Sequence, residues 1–282
     1  MADGSAHAPS LHDAADKAKP KSRSKPGKKT RAKVRKFKVD FWATDFNLTE
    51  IGIMKRTQNE AASDQFTKDM EIYGQTVADG ERTSILAFRK ELWGENKDFK
   101  RRLVIKLFSE NLHWRGTIEM LLGRSMQLTL ASGGRPVPAY SINLGRHDQL
   151  IQLERSAHRW PLFPEVFSFF ILTDNGPRFY KLRRNILCFG SDYTLYSQKG
   201  RKIGQLDSKL INLGGAWKVK LDPDHANAKL EAVLQLFCAM LKFNRAGRRH
   251  VGRLAEKVQL GRLSPQLNHH EEDLYMNPRR NR

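Results

Sequence analysis

The sequence predicts a mainly β protein of the α+β class. An antiparallel, barrel-like sheet wraps around a C-terminal apolar helix, behind a disordered basic N-terminal arm. Three observations carry this: period-two apolar runs after Lys97, three strand–turn–strand segments centred on glycines, and a helix past Asp222 that is apolar all round. The organisation that follows is an arm at 1–36, a mixed segment with short helices at 37–98, the barrel at 99–247 with its helix at about 224–244, and a polar basic tail at 248–282.

The arm comes first. The chain carries 50 Lys+Arg against 30 Asp+Glu, a formal charge of +20, and twelve of those cations fall in residues 17–38 with no acid among them. Residues 1–36 have hardly a large apolar side chain, so burial cannot repay their conformational entropy. Lys28, Lys29, Arg31, Lys33, Arg35 and Lys36 are read as a polybasic arm for anionic lipid, RNA or DNA, or as an import signal.

Apolar residues return at Phe37. Asn59 to Ile72 reads as a helix through Phe66, Met70 and Tyr73, and Ser84 to Trp93 as another through Ile85, Phe88 and Leu92. The period then becomes two, at Leu103/Ile105/Leu107, Met126/Leu128/Leu130 and Ile142/Leu144. Segments 127–140, 169–182 and 193–206 align on Gly134, Gly176 and Gly200, with Leu130, Leu172 and Tyr196 four residues before each glycine. Glycine supplies the positive φ that a tight hairpin needs, and successive hairpins make a meander that closes or curls.

Asp222-Pro223 is a helix start, with Asp as the N-cap and Pro at the first helical position. From Leu230 to Phe243 only Glu231, Gln235 and Lys242 interrupt an apolar run that covers nearly the whole circumference. At ~1.5 Å per residue it is too short to span a bilayer. A helix of this kind belongs inside a sheet, and Gly247 is its expected stop.

Strands in hairpins followed by one terminal apolar helix resemble the tubby C-terminal-like superfamily, which includes the LURP-one-related proteins and the phospholipid scramblases. Residues 193–206, Leu213 to Asp222 and Ala228 to Phe243 carry the likeness. The resemblance implies a closed barrel around a central helix, and lipid or phosphoinositide binding as in some members. It transfers no catalytic residues. The acidic calcium loop proposed for scramblases is unmatched, since Asp222, Asp224 and His225 lack the spaced oxygen ligands.

No phosphate-loop, dinucleotide or zinc-protease motif occurs, and no cofactor or metal is expected. His269-His-Glu-Glu-Asp273 reads as part of a solvated tail, and His147-Asp148 and His158 near Glu154 as surface groups. Cys188 and Cys238 read as buried thiols, and the missing signal peptide suggests a cytoplasmic protein, peripheral at membranes, with nuclear entry open in a eukaryotic host.

The candidate site is basic. Lys181, Arg183 and Arg184 lie at one strand end and Lys199, Arg201 and Lys202 around the next turn, a patch suited to phosphate groups. The function expected is non-enzymatic binding of an anionic membrane surface or a phosphoinositide-type headgroup. The alternative is a nucleic-acid-binding or virion structural protein using the arm, although no exposed strand-borne aromatic pair for base stacking is evident beside the basic cluster.

Overall fold

The computed structural model describes residues 33–41, 63–147, 149–156, 163–186, 192–209 and 215–276. The strands are β1 (Arg35–Phe41), β2 (Met70–Ala78), β3 (Glu81–Arg89), β4 (Val104–Phe108), β5 (Trp114–Leu121), β6 (Ala139–Leu144), β7 (Gln149–Arg155), β8 (Val166–Thr173), β9 (Gly176–Arg184), β10 (Tyr193–Ser197), β11 (Lys202–Lys209) and β12 (Ala216–Leu221). The helices are α1 (Leu122–Ala131), α2 (Ala228–Gln259) and α3 (His269–Met276). Each strand pairs antiparallel with its sequence neighbour, and β1 closes the ring by pairing with both β12 and β2.

The barrel encloses the first half of α2, as the apolar circumference predicts. Val233, Leu234, Leu236, Phe237, Cys238, Ala239 and Met240 are all at 0% exposure, so no face of these two turns meets water. Phe237 packs edge-on against Phe167 of β8 and Tyr193 of β10. Asn227 caps the helix by accepting from the Leu230 amide at 2.9 Å, and Asp222 caps the short turn Pro223–His225 ahead of it. The end of the barrel where α2 begins is called here the upper rim. It carries the β8–β9 and β10–β11 turns and Arg35, the first residue of β1.

Several expectations need correction. Arg35 and Lys36 are not arm residues but the start of β1, paired opposite Leu221 and Lys220. Lys28, Lys29 and Arg31 lie outside the described residues, as do Cys188, Asp148 and His158; Lys33 is exposed just before β1. The helix expected at 59–72 is, where described, a run of turns leading into β2, and the one expected at 84–93 is β3 up to Arg89, with a single helical turn at Glu91–Glu95 keeping only its end, so the barrel includes part of 37–98. Outside these strands a second small core gathers Phe66, Met70, Ile72, Ile85, Ala87, Phe108 and Leu112, burying the sheet on both faces and erasing its period of two. Conversely, 126–130 is not a strand. Its buried residues Leu122, Ser125, Met126 and Thr129 have helical spacing, so the first of the three expected hairpins is a helix end and a loop. The other two hairpins are present, with Gly176 at φ +94° and Gly200 at φ +74°.

The helix does not stop at Gly247. It continues to Gln259, and Gly247 lies where a Cβ would meet the Met120 side chain at 2.7 Å. Past the barrel, Asn244, Gly247, Val251, Leu254 and Ala255 form one buried face that packs beside α1. The segment 248–282 is therefore docked structure over its described part. Glu271 is wholly buried and accepts from the backbone amides of Gly123 and Arg124 at 2.8 and 3.0 Å, capping α1 from 147 or more residues away. His270 lies 3.1 Å from Glu119, which also binds Arg102.

Two outcomes test this architecture. A chain starting at Lys33 is expected to melt cooperatively near the full-length midpoint, whereas one starting at residue 42 lacks β1 and fails to fold; circular dichroism melts decide it. Glu271→Ala strands two amides at the start of α1 and is expected to cost ~1–3 kcal/mol, read as a lower urea midpoint with an unchanged slope.

Candidate anion-binding site

Strand parity sorts the expected basic residues. On β9, Tyr180 and Leu182 are buried while Lys181 and Arg183 are exposed, so these two cations share the outer face as expected. Arg184 sits on the inward row with Tyr180 and Leu182, opposite Tyr193, toward the lower rim, where it acts on Tyr193 and Arg248. Lys202 is exposed on β11 opposite Tyr196, its ammonium 3.1 Å from Gln205. The six residues thus form no single patch. Lys199 and Arg201 stand at the upper rim, and Arg184 is about 14 Å of strand from the Tyr180 level at ~3.4 Å per residue.

Lys199 and Arg201 instead join Arg178, which precedes Tyr180 on the inward row of β9. The turn that presents them is fixed by Ser197 N donating to Arg201 O and Gly200 N to Ser197 O, both 2.9 Å. Together with Tyr180, Ser197, Gln198 and His225 these cations line a cleft of about 610 Å³ beside the start of α2. Arg201 is partly neutralised, at 3.1 Å from Asp222 and 4.0 Å from Asp224. Among the described residues, Arg178 and Lys199 have no carboxylate within ion-pair distance.

Two polar atoms below the cations, His225 Nδ1 and Tyr180 Oη, are buried without a hydrogen-bond partner of good geometry. Burial, then Arg178 and Arg201, holds His225 below its ordinary value of 6.5 despite Asp222 and Asp224. Burial raises the Tyr180 hydroxyl, and Arg178 pulls it back down. Sequence reasoning missed Arg178 and His225. Arg178 could have been found from its parity with Tyr180 and Leu182.

A second basic surface runs around the outside. β1 and β12 set Lys36 beside Lys220 and Lys38 beside Lys218. Lys218 is fully exposed and lowered by Lys209 first, then by Lys220 and Lys38. Asp40 and Asp207 answer only part of this charge, at 2.6 Å from Lys38 and 3.3 Å from Lys220. Arg35 is engaged structurally instead, at 3.1 Å from Asp79 and 3.2 Å from Glu231. One further expectation is corrected: Phe170 and Phe179 are paired opposite each other on β8 and β9, with Lys181 5.7 Å from the Phe179 ring, so an outward aromatic pair does exist.

At the lower rim, Glu165 accepts from Tyr193 Oη at 2.7 Å, from Arg155, and from Asn244 Nδ2 at 3.3 Å. Burial alone would raise its carboxyl, but these donors hold it below the usual range. This network ties α2 to the sheet where the helix leaves the barrel. Glu154 pairs with Arg124 at 3.0 Å, and Cys238 is a buried thiol that burial pushes upward. Among the described residues no three metal-ligating side chains gather, and no helix is long and apolar enough to cross a membrane.

Fold and site together define a closed antiparallel barrel threaded by a helix, with a cation-lined cleft at the helix start. No family model, curated protein or solved structure matches the chain.

His225 gives the cleft a pH dependence of fixed sign. Its lowered folded value means that the free protein loses stability as pH falls below 6.5, while a bound anion favours the imidazolium. Binding of inositol hexakisphosphate should therefore take up a proton and tighten as pH falls through that range. His225→Asn is expected to abolish the proton uptake in calorimetry, and an unchanged uptake would place the titrating group elsewhere.

Proposed function

We infer that the protein is a non-enzymatic module that binds an anionic, phosphoinositide-type headgroup at a membrane surface. The observation that carries this is the cleft, in which Arg178, Lys199 and Arg201 line the wall beside the half-buried His225 imidazole and two of the three cations lack a carboxylate partner among the described residues. A phosphate monoester needs several fixed donors, and guanidinium forks match its oxygens in pairs. The outer lysines Lys36, Lys38, Lys218 and Lys220 would add non-specific attraction. So would the cations of residues 17–33, each worth roughly 1 kcal/mol near an anionic leaflet. The resemblance to the tubby-like plan supports the same reading, because phosphoinositide binding occurs in that superfamily. A peripheral location at the cytoplasmic face follows from it.

The test compares vesicles of matched charge containing either a phosphatidylinositol bisphosphate or phosphatidylserine. Arg178→Ala with Lys199→Ala should weaken binding to the phosphoinositide about 30- to 1000-fold, at ~1–2 kcal/mol for each of two lost charge-assisted contacts, and weaken the serine lipid less. Lys218→Ala with Lys220→Ala should lower both alike. Equal losses from the cleft variant would reduce it to diffuse charge, and a chain that holds RNA but neither vesicle would be a nucleic-acid binder.

A further inference from the structure

The β8–β9 hairpin stands out from the barrel it belongs to. Backbone pairing of β8 with β7 is confined to Ser168 and Phe167, and pairing of β9 with β10 ends at Tyr180. Beyond those points residues 169–179 pair only with each other, from Phe169↔Tyr180 to Thr173↔Gly176. The Leu172 carbonyl, which a backbone amide of β7 would satisfy in a continued ladder, instead accepts from the side chains of Gln149, the first residue of β7, at 2.5 Å and of Lys229 at 3.2 Å. A two-stranded ribbon has little stability of its own. Its inward row, Phe169, Ile171 and Tyr180, is buried and anchors it to the core.

Its outward row is apolar in the wrong place. Phe170 is 49% exposed and Leu172 52% exposed, facing Phe179 and the exposed Pro177 across the ribbon. An unpaired apolar β-edge invites aggregation unless a partner covers it. The cations Arg178 and Lys199 lie against the same hairpin in the cleft, and Lys181 and Lys229 flank it. An apolar projection ringed by positive charge and placed beside a phosphate-sized cleft is complementary to one surface in particular, the headgroup–acyl boundary of an anionic bilayer.

We propose that the tip of the β8–β9 hairpin inserts Phe170 and Leu172 into the bilayer interface while the adjacent cleft holds a headgroup. This deepens the headgroup reading above and rests on it. Single-stranded RNA stacking on Phe170 and Phe179 is the competing occupant, but Leu172 and Pro177 carry the row toward the tip as aliphatic rather than aromatic surface.

The experiment uses the full chain, with phosphatidylcholine vesicles carrying a phosphatidylinositol bisphosphate and, separately, free inositol hexakisphosphate. Phe170→Ser with Leu172→Ser should melt like the wild type and bind the free phosphate unchanged, yet partition about 30-fold less onto vesicles, since roughly half of each side chain remains to be buried. Phe170→Leu with Leu172→Met should restore partitioning. Undiminished partitioning of the serine variant overturns the insertion while leaving the headgroup reading intact. A wild type that binds neither vesicles nor the free phosphate overturns both. Vesicle binding that depends on the hairpin, without binding of the free phosphate, keeps the insertion and removes the cleft's role. A dimer split by the serine variant, or an oligouridine complex lost with it, assigns the hairpin to a second copy or to RNA and overturns the proposal.

Discussion

Everything in this fold depends on closing the sheet around an apolar helix. The buried residues of α2 from Val233 to Met240 have no solvent-facing side, so an open sheet would leave half of them in water. β1 completes the wall by pairing with β12 on one side and β2 on the other, and Phe37, Val39 and Phe41 supply its inward row. Gln235 is the one buried polar side chain in those turns, and the hydroxyls of Tyr73, Tyr140 and Tyr193 are buried in the core around them. Closure also removes the sheet edges that would otherwise pair between molecules, which makes the short β7–β8 seam and the overhanging hairpin beside it conspicuous.

Closure fixes what each rim can do. Inward-facing residues at strand ends are neither core nor outer surface, and that is where Arg178 and Arg184 fall, on the same row of β9 but at opposite rims. At the lower rim, Arg155, Tyr193 and Asn244 converge on Glu165 in a network that clamps the helix exit, and Arg184 joins it only through its backbone amide, which donates to the Glu165 carbonyl at 2.8 Å. At the upper rim, Arg178 finds no carboxylate among the described residues, and the acids nearby, Asp222 and Asp224, are shared between capping Pro223–His225 and pairing with Arg201. One strand therefore ends beside the Glu165 network at one rim and in a cleft lined by Arg178, Lys199 and Arg201 at the other.

The sequence was most legible where one physical signal acted alone. Gly176 and Gly200 mark their turns because only positive φ serves there, and the circumference of α2 reads as enclosed because no other environment accepts it. It was least legible where burial came from an unforeseen neighbour. β3 buries Ile85, Leu86 and Ala87 in succession because residues 63–70 and 108–114 cover its outer face, so its pattern resembles a helix. In α1 the buried stripe uses Ser125 and Thr129, whose hydroxyls bond Leu121 O and the Val137 amide, and a hydropathy pattern does not see them. The arginine-rich stretch after Phe243 hid a second buried face, in which Asn244, Gly247 and His250 stand among Val251, Leu254 and Ala255. The cleft was half legible: Lys199 and Arg201 were in view, whereas Arg178 looked like a hairpin residue and His225 like part of a helix start.

The central claim is that the upper rim is the working end of the barrel. Amide hydrogen exchange of the full chain, with and without phosphoinositide vesicles, tests it most directly. The expected result is slowed exchange confined to residues 170–179, 197–202 and 222–227, with the lower-rim segments 155–156, 184–186 and 244–250 unchanged. Protection at the lower rim, or none at the upper rim while the protein is vesicle-bound, would contradict it.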